Sequence, residues 1–152
     1  MLLFEQITRD LVELKDKSEM MMDLAYSALL LNSRYLAEEV LLLENMIDKL
    51  DTEFELKVLS AVDNPEEAKG FLGLLRLGSV SERIADAASE IAEVVLRGEE
   101  PHPILRMVIE SADETVERAS ITDESPIKGK TLREARIAEE TGMWVLVIRR
   151  GE

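Results

Sequence analysis

SRYLAEEVLLLENMIDKLDTEFELKVLSA, residues 33–61, is the stretch on which the fold turns. Leu36, Val40, Leu43, Ile47, Leu50 and Phe54 recur at alternating steps of four and three, and Ala61 continues the row. That spacing keeps one apolar row on one side of a helix, the seam of a helical bundle. Asn32-Ser33 supplies a start signal before it, and Asp63-Asn64-Pro65 stops it.

Upstream, from about Asp10 to Leu31, Leu11, Leu14, Ser18, Met21, Ala25 and Leu29 fall near one helical face. The run Met20-Met21-Met22 reads as core filling. Downstream, Pro65 suits the first turn of a third helix running from about Glu66 to Leu96, which Arg97-Gly98 would end. Three long helices with short connections predict antiparallel neighbours, and Pro103 to Ser111 reads as a partial fourth helix. Gly70, Gly73 and Gly78 lack the Lys-Ser/Thr of a phosphate loop, so close helix approach or a local bend is the expectation for them.

Beyond Ser111 the pattern changes. Thr115, Val116, Ala119 and Ile121 are β-prone, Asp123 to Pro126 breaks the run, and Thr131 with Glu134 forms a capping-box signature for a helix ending at Thr141-Gly142. Met143 to Ile148 is a continuous apolar run that predicts a buried strand. The expected organisation is therefore mostly α: a helical bundle over 1–111, then a small β-α-β segment over 112–152. A strand, a helix and a strand cannot close a core alone. The segment is expected to continue into further strands or to pair with a second copy, because an exposed strand leaves an unpaired edge.

The 152 residues carry a net charge of −14, yet residues 128–152 hold six basic and four acidic side chains. The acid is thus concentrated in the helical part, which would repel phosphate backbones and anionic lipid heads and argues against nucleic-acid or membrane-surface binding. No apolar run reaches the roughly 18–20 residues of a membrane span, so no direct membrane insertion is expected. With no cysteine, disulfides, thiolate metal sites and thiol nucleophiles are excluded. The expected location is cytoplasmic. His102, the sole histidine, lies between two prolines and has no relay partner in sequence. Without a nucleophile–base constellation, the expectation is a protein that is not an enzyme.

Two candidate sites remain. Glu44 and Asp48 sit four apart with Asp51 three further on, and Glu82 and Asp86 repeat the four-residue step with Glu90 beyond. Carboxylates so spaced line one helix edge and can chelate a hard divalent cation or support iron or manganese. Equally, they can be solvated charges on acidic helices. The second site is Ser125-Pro126-Ile127-Lys128-Gly129-Lys130, where Ser125, Lys128, Gly129 and Lys130 could hold an anionic small-molecule effector at a helix start. The same residues also suit a plain connector whose glycine supplies the turn.

Ser81-Glu82-Arg83-Ile84-Ala85-Asp86 followed by Ala88 and Ile91-Ala92-Glu93 resembles the Glu-Arg-Ile-Gly-Asp motif of the PhoU family, with Ala85 where that family usually has glycine. Glu44 and Asp48 resemble its other acidic pair. The resemblance implies a PhoU-like antiparallel bundle in which Glu44, Asp48, Glu82 and Asp86, with Asp51 adjoining, bind metal, iron clusters included. PhoU proteins contain two three-helix repeats, whereas this chain shows one. Residues 124–134 with 141–150 resemble the first half of a TrkA-C domain, the C-terminal half of modules that regulate potassium conductance. That resemblance implies a homodimer, a small-molecule effector, and a membrane-embedded cation transporter or channel subunit as partner. Together they imply a regulator of potassium transport, or, led by the helical part, of phosphate uptake or signalling.

Overall fold

The computed structural model describes residues 2–98, 102–104, 107, 111 and 116–150. The chain divides into two compact units, Met1–Ala112 and Asp113–Glu152. In the first, α1 (Leu2–Leu30), α2 (Arg34–Ser60) and α3 (Pro65–Leu96) form a bundle in which each helix touches the other two.

The boundaries follow from local chemistry. Asn32 takes a left-handed φ of 44° in the tight turn after α1, and the Ser33 hydroxyl accepts from the Leu36 N–H at the start of α2. Asn64 Oδ1 accepts from the Glu66 and Glu67 N–H groups (3.1 and 3.0 Å), with Pro65 at the first helical position of α3. α1 begins at Leu2, eight residues before the expected start, because Ile7 and Asp10 extend the buried face of Leu14 by two turns.

Phe54, Leu14, Met21, Ile47, Val40 and Val58 are fully buried, each contributing about 1.5–3 kcal/mol of transfer energy. α3 answers these large side chains with small ones, Gly78, Ser81, Ala85, Ala88 and Ala92. The chain directions are fixed by two contacts. Phe4 stacks on Phe71 (centroids 6.1 Å apart), so α1 and α3 begin at the same end. Lys57, near the end of α2, reaches Asp10 near the start of α1 at 2.5 Å, so those two run antiparallel. Asp10 is buried, its side chain 3% exposed, and Arg9 adds a second, longer ion pair to it (3.6 Å). The buried hydroxyls of Ser18, Ser27 and Ser81 donate to carbonyls three or four residues back.

The second unit departs from expectation. Among the described residues there is no strand: neither Met143–Ile148 nor Val116–Ile121 has regular structure. A strand exists only through its ladder, and no described segment supplies the partner rows. The expected β-α-β segment is therefore corrected to two short helices and flanking coil. No described residue from 116 to 150 is buried, and Trp144 is 83% exposed. The expected single helix is broken into α4 (Leu132–Ala135) and α5 (Ile137–Thr141) by Arg136, which takes a left-handed φ of 47°. Its guanidinium pairs with Glu139 one turn into α5. The partial helix expected over 103–111 lies largely outside the described residues.

Candidate metal centre

Because α2 and α3 run antiparallel, the acidic edge of one meets that of the other in reversed order. Glu44 and Asp48 of α2 come up against Asp86 of α3, and these three carboxylates each place one oxygen within 4.8 Å of the others. Glu44 is half-buried, while Asp48 and Asp86 are exposed, so the group opens to solvent.

Electrostatics there is one-sided. Burial pushes the Glu44 carboxyl above the ordinary carboxylate range, and the charges of Asp48, Asp86 and Glu93 push the same way. Glu82 lies beside the trio rather than within it. Burial raises it first, followed by the charges of Asp86 and Asp51. Asp51 is raised by burial, then by Glu55 and Asp48. No cation of this chain is ion-paired to Glu44, Asp48, Asp51, Glu82 or Asp86 among the described residues.

Gly78 explains how Asp51 comes so close. A Cβ at that position would stand 2.7 Å from Phe54 Cε1 and 3.0 Å from Asp51 Oδ1. The bare backbone of α3 thus lets α2 press a phenyl ring and a carboxylate against it, the close approach expected for a helix glycine. Asp51 Oδ1 is enclosed without a hydrogen-bond partner, an uncompensated acceptor that ordinarily costs about 1–3 kcal/mol. Gly70 and Gly73 meet nothing and are not close-approach positions.

The donor set is all oxygen, which suits a hard divalent cation and not a thiophilic one. Glu44, Asp48 and Asp86 would hold it, with Asp51 and Glu82 adding negative potential alongside. Sequence spacing missed Glu93 and did not single out Gly78 from Gly70 and Gly73. Glu93, two turns beyond Asp86 on the same edge, was readable in principle, whereas the role of Gly78 depends on the cross-helix register.

The second candidate site is arranged differently. Lys128 is ion-paired to Asp123 at 2.6 Å. The Lys128 and Lys130 N–H groups donate to the Ser125 and Ile127 carbonyls, and Gly129 takes a φ of 75°, the turn conformation that favours glycine. The Thr131 N–H donates to Glu134 and the Glu134 N–H donates to the Thr131 hydroxyl, completing the capping box. The two Thr131 donors hold Glu134 below the ordinary carboxylate range. Several backbone donors of this loop are therefore already engaged. His102 is exposed and accepts from the Ile104 N–H at Nδ1 (3.2 Å).

Residues 11–95 match the family model of the PhoU domain. That span takes in Glu44, Asp48, Asp51, Glu82, Asp86 and Glu93 and stops short of residues 112–152. No curated protein matches the chain.

Proposed function

The chain belongs to the PhoU domain family, and from that premise we propose that it is a non-enzymatic regulator of phosphate uptake or signalling whose bundle binds a divalent cation between α2 and α3. The observation that carries the reading is the meeting of Glu44, Asp48 and Asp86 within 4.8 Å, in the family-matched region, with no cation ion-paired to them among the described residues. A bound divalent cation would cancel their repulsion and tie α2 to α3, coupling the bundle's rigidity to cation supply. Its place is the cytoplasm, against a membrane transporter or sensor kinase. No helix among the described residues is long and apolar enough to cross a membrane.

A second reading rests on the 124–134 loop, where Gly129 makes its turn and Thr131–Glu134 closes the expected capping box. Under it, the partner is a cation transporter or channel and the second unit takes a small effector. This reading has the TrkA-C-like motif alone behind it, without the strands that motif implied.

The test pairs deletion of the gene with restoration by the wild-type chain or by Glu44→Gln/Asp86→Asn. Phosphate uptake that escapes control in the deletion, is restored by the wild type and is not restored by the variant supports the first reading. Normal phosphate control with altered potassium uptake selects the second. Unchanged transport of both sinks the two together. On the purified chain, Mn²⁺ or Mg²⁺ raises the unfolding free energy of the wild type, by about 2.7 kcal/mol at a hundredfold excess over Kd. An equal shift in the variant rules out this site.

A further inference from the structure

The buried face of α3 accounts for only one of its two apolar rows. Leu77, Val80, Ile84, Ala87, Ile91 and Val94 form a second row, again at alternating steps of three and four. They span 17 residue steps, about 26 Å of helix. Leu77 is 55% exposed, Val80 48% and Val94 39%. Ile84 and Ala87 are also exposed, and Ile91 is half-buried. At 100° per residue this row lies on the side of α3 away from Glu82 and Asp86, so the candidate metal centre leaves it uncovered. It is an uninterrupted coiled-coil seam without its partner.

We propose that this row is a self-association surface, pairing two copies of the chain through antiparallel α3 helices. The argument is self-complementarity in both shape and charge. A two-fold axis between Ala85 and Asp86 sets Leu77 against Val94 of the second copy, Val80 against Ile91, and Ile84 against Ala87. Each layer then joins non-identical apolar side chains, as an isologous contact requires. Along the flank of the row stand Arg76, Arg83, Glu90 and Arg97, all exposed. The same axis sets Arg83 across from Glu90 of the second copy, and Glu90 across from its Arg83. Neither has an ion-pair partner within its own chain among the described residues. A parallel pairing would place Arg83 opposite Ala88 and waste both charges. The one like-charge meeting, Arg76 with Arg97, is softened because Arg97 is already paired to Glu93 at 3.0 Å.

Charge also favours this face. The chain carries −14, so two copies repel almost everywhere. Three arginines border this seam, which lowers that repulsion here. The proposal is independent of the phosphate reading, since it uses none of the carboxylates between α2 and α3.

Sedimentation equilibrium on the full chain tests it, with far-UV circular dichroism checking that each variant folds. The wild type is expected to be a dimer and Ile84→Glu a folded monomer. Arg83→Glu turns two attractions into two repulsions and weakens the dimer about tenfold. Arg83→Glu/Glu90→Arg reverses both members and recovers most of that loss. Because the chain lacks cysteine, Leu77→Cys/Val94→Cys is expected to give a covalent dimer on oxidation. Leu77→Cys alone is not, its two copies being about 26 Å apart along the axis. A wild-type monomer overturns the proposal. So does a dimer that survives Ile84→Glu, which would place association elsewhere, Met143–Ile148 included. Crosslinking of Leu77→Cys alone, or no recovery in the double charge reversal, overturns the antiparallel geometry. If Ile84→Glu fails to fold, the charge and cysteine variants decide.

Discussion

Substituting Gly78 by alanine probes the contact that brings Asp51 and Phe54 against α3. Two opposing effects set the result. Alanine in a helix interior is favoured over glycine by about 0.5–1 kcal/mol. Against that, the added methyl would stand 2.7 Å from Phe54 Cε1 and 3.0 Å from Asp51 Oδ1. Phe54 is fully buried and has no open side to retreat to, so the overpacking costs about 1–3 kcal/mol. The expected net loss is up to about 2.5 kcal/mol, at about 4–8 °C of melting midpoint per kcal/mol for a bundle of this size. Gly70→Ala and Gly73→Ala supply internal controls, since a Cβ there meets nothing within 4 Å. Each should stabilise by about 0.5–1 kcal/mol. Urea unfolding followed by circular dichroism measures all three, and Phe54→Leu in the Gly78→Ala background should lose less than the two single losses combined. A Gly78→Ala protein as stable as the Gly70 and Gly73 variants would refute the close-approach account.

Two further predictions concern charge. Lys57→Met should destabilise the bundle by up to about 3–5 kcal/mol, because it leaves the buried Asp10 with only the longer contact to Arg9, whereas Asp10→Leu/Lys57→Met should lie within about 1–2 kcal/mol of wild type. Equal losses in the single and double variants would show that the pair's charges are immaterial. The raised carboxyls of Glu44, Asp51 and Glu82 fix the sign of a pH effect. Above the ordinary values of 4.5 for Glu and 3.8 for Asp, the folded chain holds protons that the unfolded chain does not. Stability with chelator present should therefore rise as pH falls from 7 towards that window, and a divalent cation should flatten the trend. Falling stability over the same interval would contradict the site's electrostatics.

The bundle was legible because helix packing writes itself into local spacing. Val40, Ile47 and Phe54 of the quoted row are fully buried, and Leu36, Leu43 and Leu50 pack around them. Asn64 and Pro65 marked the start of α3 correctly. Less legible was whatever depended on which helix faces which. Asp10 looked like a boundary residue until α2 delivered Lys57 to it. The acidic steps on each helix were visible, but the order in which Glu44 and Asp48 meet Asp86 comes from the antiparallel register. The second unit failed for a different reason. Met143–Ile148 has the composition of a buried strand, but composition does not provide the neighbouring strand that makes a ladder. The left-handed Arg136 carries no turn residue type that would announce it, and the structure offers no local reason beyond its pairing with Glu139.

Asp10 also bears on how the bundle finds its alignment. Rows of apolar side chains repeating every seven residues are nearly indifferent to a slide of one repeat, since apolar still meets apolar. A slide of α2 along α1 by seven residues would move Lys57 about 10 Å from Asp10. The carboxylate would then sit in an apolar interface with only the longer contact to Arg9. One charged pair among otherwise interchangeable contacts thus works as a vernier mark, separating the native alignment from slipped ones that the hydrophobic rows alone would leave close in energy.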